Sequence, residues 1–183
     1  MKLLRVGNQG QEKIAALDSK NIIRELPGQI NDLTPETFSS EYLEKINGID
    51  LSKQKEINPK TRLGPFINNP KNYFCVGKNF INHIKELNSS TPKNPMIFSK
   101  ANCISGPNDN IIIPKDSKKV DWECEIGVCL KEDAYQIKEN ESEKYIGGYF
   151  LANDVSARDF QLEKSGQFII GKSSPTFGPI GPY

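Results

Sequence analysis

The clearest pattern of hydrophobic and polar positions in this chain lies between Val120 and Leu130, where side chains of the two kinds alternate. A period of two is that of a β-strand, whose successive side chains point to opposite faces. One face therefore carries the carboxylates of Asp121, Glu123 and Glu125, and the other face is apolar. The apolar face consists of Trp122, Cys124, Ile126, Val128 and Leu130.

Shorter apolar runs predict further strands, and three of them near the N-terminus, separated by turn-forming residues, predict a small β-meander. The run over residues 73–77 is typical of a buried strand, and another run over residues 149–153 ends just before Asp154. The predicted strands outside residues 120–130 are Leu3–Val6, Lys13–Leu17, Ile22–Leu26, Tyr73–Gly77, Met96–Phe98, Ile111–Ile113, Tyr149–Asn153 and Phe168–Ile170.

Three stretches have helical patterns. Thr34 and Pro35 predict a helix start, followed by an apolar face that ends at Gly48. Asn79 is a plausible cap for a second, short helix over residues 81–87. A capping box at residues 156–159 predicts a third helix that runs to Gly166.

Length and charge limit the class of protein. The chain has 183 residues, enough for one good core, and its 24 Lys and Arg nearly balance 23 Asp and Glu. It therefore lacks the charge pattern of a nucleic-acid binder, and no apolar run predicts a membrane span or a signal peptide. We therefore expect a cytoplasmic protein, in the cytosol or in an organelle matrix. The four cysteines show no C-x-x-C spacing, and we expect all of them to be reduced. A polar segment before Pro70 predicts two domains: a small β-rich domain with its linker over residues 1–70, and a larger domain over residues 71–183, for which the resemblance described below implies catalysis.

Carboxylates on the alternating strand are candidate metal ligands. Glu123 and Glu125 share one strand face at a separation of roughly 6 to 7 Å, close enough to hold one divalent cation together. Asp154, at the end of the next apolar strand, could supply a third ligand. Ligation by oxygen alone suits magnesium, calcium or manganese. The alternative is that these carboxylates form the solvated face of an antiparallel sheet.

His83 and Glu86 lie three residues apart on the predicted second helix, so the carboxylate can orient the only histidine in the chain. Lys172 follows an apolar run and could hold a substrate carboxylate or polarise a carbonyl. The alternative for each is an ordinary surface residue.

Residues 166–173 fit the P-loop pattern G-x-x-x-x-G-K-[ST] at every position. A P-loop needs a strand before it and a helix after it, so that the helix N-terminus can cradle phosphates. Here a helix pattern precedes Gly166, and Pro175 and Pro179 exclude a helix afterwards. Nucleotide binding therefore remains only a rival hypothesis.

Several motifs of this chain, in the order in which they occur, resemble those of the fumarylacetoacetate hydrolase family. The resemblance extends over nearly the whole sequence. The N-terminal 70 residues are similar to the family's variable small domain. The segments that carry the resemblance are residues 73–80 with His83 and Glu86, residues 121–128, residues 153–159, residues 171–173 and residues 176–179.

The resemblance implies specific roles for the candidate residues. Glu123, Glu125 and Asp154 would bind a divalent metal, most simply Mg²⁺, with Mn²⁺ or Ca²⁺ as alternatives. His83 and Glu86 would lie on a lid and move a proton, and Lys172 would act on the substrate oxygen. Gln161 would bind substrate, as would Lys172. The implied fold is α+β and mainly β, a mixed β-sandwich roll with the small N-terminal β-rich domain, and the implied assembly is a homodimer.

The implied activity is metal-dependent hydrolysis, isomerisation or lyase chemistry on a small 2-oxo or 2-hydroxy-dienoic acid, through an enolate that the metal stabilises. Trp122 and the Gly-Pro-Ile-Gly-Pro ending are most similar to members known as 2-hydroxyhepta-2,4-diene-1,7-dioate isomerase or ureidoglycolate lyase. Acylpyruvate hydrolysis, oxaloacetate decarboxylation or a metal-stabilised binding module without catalysis are the alternatives. Since family members continue past the point that matches Tyr183, we also expect the catalytic domain to be truncated at its C-terminal end, with uncovered apolar surface.

Overall fold

Three antiparallel strands form the first sheet in the computed structural model, which describes residues 1–28, 32–164 and 166–183. The strands are β1 (Lys2–Val6), β2 (Lys13–Leu17) and β3 (Ile23–Glu25), arranged in the order β1-β2-β3. This sheet confirms the predicted N-terminal meander.

The rest of the described chain alternates short strands with short helices. The helices are α1 (Ser40–Asn47), α2 (Ile81–Glu86), α3 (Arg158–Glu163) and α4 (Phe168–Lys172), with 3-10 turns at Leu51–Lys53 and Glu139–Tyr145. The strands are β4 (Phe74–Gly77), β5 (Met96–Ser99), β6 (Ile104–Ser105), β7 (Val120–Asp121), β8 (Cys124–Leu130), β9 (Ile146–Asn153), β10 (Ser156–Ala157) and β11 (Gly178–Pro179). A strand-rich mixture of sheets and helices agrees with the predicted α+β class.

These later strands pair two by two. The pairs β4–β5, β7–β10 and β8–β9 are antiparallel, whereas β6 and β11 are parallel. The main hydrophobic core joins the first sheet, α1 and strand β9, because Leu3, Tyr42 and Ala152 belong to one buried cluster. Residues from before and after the predicted domain boundary at residue 70 therefore pack in the same hydrophobic core.

The predicted strand over residues 120–130 is split in two at Trp122 and Glu123, because its partner changes there. Strand β8 pairs with β9, whereas β7 pairs with β10, and the chain turns between β9 and β10 at Asp154. The change of partner on both sides forms a corner at which the hydrogen-bond ladder of β8 and β9 ends. Glu123 and Asp154 both lie in this corner.

In a usual amphipathic strand the apolar face is buried, but in β8 the apolar face is the exposed one. Its apolar side chains point outward, and the cross-strand pair of Ile126 and Leu151 is 70% and 55% exposed. The other face packs inward, where the ring of Phe150 lies over Gly127 at a place that a Cβ atom would fill. The carboxylates of Glu123 and Glu125 are therefore on the better covered face of the sheet, which removes that alternative for these two residues, whereas Asp121 is exposed. The expected uncovered apolar surface is present on this side of β8 and β9.

Several predicted boundaries were wrong. Residues 34–38 form turns, and α1 begins later because Ser39 caps it by accepting a hydrogen bond from Tyr42. Helix α2 lies where expected, but Phe80 and not Asn79 occupies its cap position. Strand β4 was predicted to be buried, yet Phe74 and Val76 are exposed. Residues 111–113 form no strand.

The segment around α3 and α4 also departs from prediction. Residues 168–170 belong to α4 and not to a strand, because Phe168 packs edge-on against Phe98 and the helical turn brings Lys172 into the interior. No capping box opens α3, because Asp159 instead accepts a hydrogen bond from Ser117. The predicted extension of α3 to Gly166 passes through residue 165, which lies outside the described residues.

Candidate functional site

Glu123 and Asp154 stand opposite each other at the corner between the two strand pairs. The register of β8 and β9 ends with Cys124 against Asn153, and Glu123 and Asp154 are the residues that adjoin this last pair. The backbone N–H of Asp154 donates to the carbonyl oxygen of Glu123 at 2.9 Å. Residues that oppose each other in an antiparallel pair project to the same face. The two carboxylates therefore share one side of the sheet.

Lys172 lies between these two carboxylates. Its ammonium donates to Glu123 Oε2 at 2.6 Å and to Asp154 Oδ2 at 2.7 Å. Only 2% of Lys172 is exposed, and its Nζ also lies 5.2 Å from the centre of the Phe98 ring. A buried charge is stable only when it is paired, so the two carboxylates and the ammonium depend on one another.

Two further cations hold the remaining oxygens of the same carboxylates. Arg158 Nη2 donates to Glu123 Oε1 at 2.6 Å, and Arg158 also binds Asp121. Lys100, itself buried, donates to Asp154 Oδ1 at 2.6 Å and to the carbonyl oxygen of Val155 at 3.1 Å. Sequence reasoning missed both roles. The only local signal for Lys100 is that it directly follows the strand-forming run Met96–Ser99.

The pKa values of Glu123 and Glu125 are shifted in opposite directions by their surroundings. Burial acts to raise the pKa of Glu123, but hydrogen bonds and charges from Lys172 and Arg158 outweigh it, and the pKa is lowered. The pKa of Glu125 is raised, first by burial and then by repulsion from Glu123 and Asp154. Glu125 thus senses the charge of both other carboxylates.

The structure does not gather the three predicted metal ligands around one point. Among the described residues, no three His, Cys, Asp or Glu side chains are arranged closely enough to hold a metal ion. Glu123 and Asp154 instead direct one oxygen each at the ammonium of Lys172. Glu125 lies on the same strand face as Glu123, opposite the small and buried Ala152.

The donor set nevertheless fits a hard divalent cation. Two carboxylate oxygens already converge on a positive charge, and a third carboxylate lies close enough to repel them. Magnesium, manganese and calcium favour oxygen ligands of this kind, and an added positive charge would relieve the repulsion. The residues that would hold such an ion are Glu123, Glu125 and Asp154.

His83 and Glu86 lie together on α2, as the sequence predicted. The Nδ1 atom of His83 is 3.6 Å from Glu86 Oε2, and both side chains are accessible to solvent. The charge of His83 acts to lower the pKa of Glu125, which places the imidazole within electrostatic reach of the carboxylate corner. Helix α2 is short, and among its side chains only that of Ile84 is buried.

Gln161 supports the site from the inside of α3. Its Oε1 atom accepts a hydrogen bond from Arg158 at 3.2 Å, and its side chain is buried. Helices α3 and α4 touch closely here, since a Cβ atom on Gly171 would lie 2.6 Å from the Gln161 Cβ. A residue without a side chain is therefore needed at position 171. Gly171 also belongs to the P-loop pattern, but no helix follows that pattern among the described residues, so the structure lacks the helix that a P-loop needs.

None of the four cysteines forms a disulfide, as expected. Burial raises the pKa of the Cys75 thiol to about 12, and the charge of Asp154 acts in the same direction. A thiol that stays protonated is a poor nucleophile, so Cys75 serves packing beside the site.

Comparison with known proteins identifies the family of the chain. The family model described as fumarylacetoacetate (FAA) hydrolase C-terminal matches residues 71–183. The chain belongs to the fumarylacetoacetate hydrolase family. Among its relatives is a protein of Burkholderia orbicola (strain MC0-3) that is named as a hydrolase, with 39% identity over 184 residues, covering 100% of this chain and 65% of the relative.

Solved structures of the family have the same fold. A fumarylacetoacetate hydrolase from Exiguobacterium antarcticum matches with a TM-score of 0.75 and 28% identity, over 100% of this chain and 65% of that one. A 2-hydroxyhepta-2,4-diene-1,7-dioate isomerase from Mycobacterium marinum matches with a TM-score of 0.74 and 26% identity, over 100% of this chain and 64% of that one. The chain thus spans about 65% of the length of the curated relatives that it matches. No described helix is long and apolar enough to cross a membrane.

Proposed function

We propose that this chain carries the metal-binding part of an enzyme that acts on a small 2-oxo or 2-hydroxy-dienoic acid. The observation that carries the proposal is the convergence of Glu123 and Asp154 on one cation position at the corner of two strand pairs. With Glu125 beside them, they would hold Mg²⁺, or Mn²⁺ or Ca²⁺ in its place. The bound ion would act as a Lewis acid on the substrate's carboxylate and adjacent oxygen.

The other residues of the site supply charge and proton transfer. Lys172 would contact an anionic substrate oxygen, and Gln161, which accepts a hydrogen bond from Arg158, would also bind substrate. His83, oriented by Glu86, would accept or donate a proton from the outer side of the site. Hydrolysis, isomerisation and lyase reactions of such acids all need these functions, and the names of the relatives include a hydrolase and an isomerase.

The test is turnover of a substrate panel with and without divalent metal. Acylpyruvates, oxaloacetate, ureidoglycolate and 2-hydroxy-dienoates are each offered to the chain with Mg²⁺, Mn²⁺ or Ca²⁺, and after chelation. We expect at least one substrate class to turn over, and chelation to abolish the reaction. Metal binding without any turnover would favour the binding module instead.

Two matched variants test whether Glu123 is a metal ligand. Glu123→Gln keeps the size of the side chain and removes its charge. It should weaken Mn²⁺ binding by at least about a hundredfold, because losing only an outer partner of a ligand already costs about 10- to 100-fold. Glu163→Gln is the control, because Glu163 is exposed and pairs only with Lys119 on the surface. Equal Mn²⁺ affinity in both variants would refute the assignment of Glu123.

A further inference from the structure

The ammonium of Lys172 occupies the position at which a cation would contact Glu123 and Asp154 together. Its Nζ lies 2.6 Å from Glu123 Oε2 and 2.7 Å from Asp154 Oδ2. Resting on the proposed function, we infer that Lys172 is a built-in competitor for the metal: a divalent cation must displace its ammonium before binding both carboxylates.

The ammonium and a divalent cation would compete for these two oxygens, because each would take them as its nearest negative partners. A divalent ion takes oxygen ligands at roughly 2.0 to 2.6 Å, which is about the distance that the ammonium keeps from the same two atoms. Two positive charges would then lie in contact inside a buried site, where their repulsion is strong. Lys172 therefore has to withdraw when a metal enters.

Lys100 differs from Lys172 although both are buried lysines that bind Asp154. Lys100 contacts the other oxygen of that carboxylate, Oδ1, and it is also anchored on the backbone carbonyl of Val155. A metal bound through Asp154 Oδ2 leaves both of these contacts intact. Lys100 is therefore a positioning residue that keeps Asp154 in place, whereas Lys172 is the residue that moves.

Displacement gives Lys172 a second task. Besides the two carboxylates, the ammonium of Lys172 lies over the face of the Phe98 ring, which binds a cation more weakly than a carboxylate does. Once released, the ammonium lacks its two charged partners and the site has gained two positive charges. A small acid that brings one carboxylate and a second anionic oxygen would satisfy both needs. Metal and anionic substrate should therefore each strengthen binding of the other.

Mn²⁺ binding to the whole 183-residue chain tests this competition without any substrate. Free Mn²⁺ is counted by electron paramagnetic resonance in titrations of the parent chain, Lys172→Met and Lys100→Met. Methionine keeps an unbranched side chain of similar length and removes the charge. Lys100→Met is the matched control, because it removes an equal charge from the same carboxylate without emptying the shared position.

We expect Lys172→Met to bind Mn²⁺ at least about tenfold more tightly than the parent, and Lys100→Met to change the affinity less than Lys172→Met does. If Lys172→Met does not fold without metal, Lys172→Gln, which keeps a hydrogen-bond donor for one carboxylate, replaces it with the same expectation. Equal tightening in the two lysine variants would overturn the inference, since it would reflect net charge alone.

Unchanged or weaker binding by both Lys172 variants would also overturn the competitor role, yet it would leave the proposed metal-dependent function intact. Absence of Mn²⁺ binding to the parent and to all variants would overturn the proposed function together with this inference. A second readout on the parent chain is its thermal unfolding: Mg²⁺ should raise the melting temperature of Lys172→Met more than that of the parent, because in the variant the carboxylates have lost their ammonium.

Discussion

Glu123 and Asp154 face each other across the corner where β8 gives way to β7 and β9 gives way to β10, and the hydrogen bond between their backbones measures 2.9 Å. Each carboxylate shares one oxygen with Lys172 and gives its other oxygen to a separate cation, Arg158 or Lys100. The arrangement keeps two acidic groups ionised in a buried place. It is the basis of the predictions that concern the site.

Replacing His83 by alanine should depress kcat by about 10² to 10⁴, the usual contribution of a positioned acid or base, and leave Mn²⁺ affinity nearly unchanged. The imidazole lies on the exposed helix α2 and makes no contact with Glu123 or Asp154 that would fix a metal. Steady-state kinetics and Mn²⁺ titration measure the two effects separately. A parallel loss of metal binding would contradict this division of roles.

Gly171→Ala should destabilise the chain by about 1 to 3 kcal/mol, because its Cβ would lie 2.6 Å from Gln161 Cβ and 2.7 Å from the carbonyl oxygen of Ala157. The same shift would move Lys172, the next residue, and so reduce metal-dependent activity. Gly148→Ala is the control, since its Cβ would meet no atom within 4 Å. Urea unfolding of both variants checks the difference, and equal stability would show that α3 and α4 can separate freely.

A second ionic cluster links Glu12, in the loop between β1 and β2, to residues later in the chain. Arg62 donates to Glu12 at 2.8 Å and to Asp109 at 2.6 Å. Arg62→Met should lower the free energy of unfolding by about 2 to 4 kcal/mol, because it leaves a buried carboxylate with one partner fewer. The control is Lys45→Met, which removes an exposed ion pair with Glu41 and should cost less than about 1 kcal/mol. Similar losses in both variants would mean that the buried pair adds nothing.

The same cluster predicts sensitivity to acid. The hydrogen bond from Arg62 lowers the pKa of Asp109, and the pKa of Glu12 is also lowered although burial acts in the opposite direction. Carboxyl groups with lowered pKa values stabilise the folded state above their ordinary values of 3.8 and 4.5, and this stability is lost as the pH falls towards the folded-state values.

Asp109→Asn should therefore flatten the fall in unfolding free energy below about pH 4.5, and leave the slope near neutral pH unchanged. Urea unfolding at a series of pH values measures both slopes. A variant as acid-sensitive as the parent would show that other carboxylates control acid unfolding.

The exposed apolar side of β8 and β9 should cause the 183-residue chain to associate, because contiguous apolar surface of this kind is unstable in water. Ile126→Lys combined with Leu151→Glu places opposite charges on a cross-strand pair, which preserves the pairing and removes the apolar contact. Light scattering after size exclusion should show association of the parent and its loss in the double variant. Leu162→Glu, an exposed position on α3, serves as control and should behave as the parent. A parent chain that stays monomeric at high concentration would disprove the association.

The sequence predicted the elements whose patterns are local and missed those that depend on distant contacts. The period of two over residues 124–130 and the short helix with His83 are local, and both are present. The helical state of Phe168 was missed because three apolar residues fit a strand or a helix equally well until the contact with Phe98 decides. The start of α1 was missed because Thr34 and Ser39 are both acceptable caps.

The charges that organise the site were the hardest to foresee. Lys100 lies 54 residues before Asp154 and Arg158 lies 35 residues after Glu123, so no spacing rule connects them. The direction of the two faces of β8 was hidden for a similar reason: the alternation defines two faces, but only the packing of Phe150 and Ala152 decides which one is covered.

The most direct measurement of the central claim is anomalous diffraction from crystals of the chain soaked in MnCl₂. The account predicts one strong peak within roughly 2.0 to 2.6 Å of oxygens from both Glu123 and Asp154, with Lys172 Nζ withdrawn from those atoms and Lys100 unmoved. A peak that contacts neither carboxylate, or crystals without a peak in which Lys172 still bridges them, would contradict it.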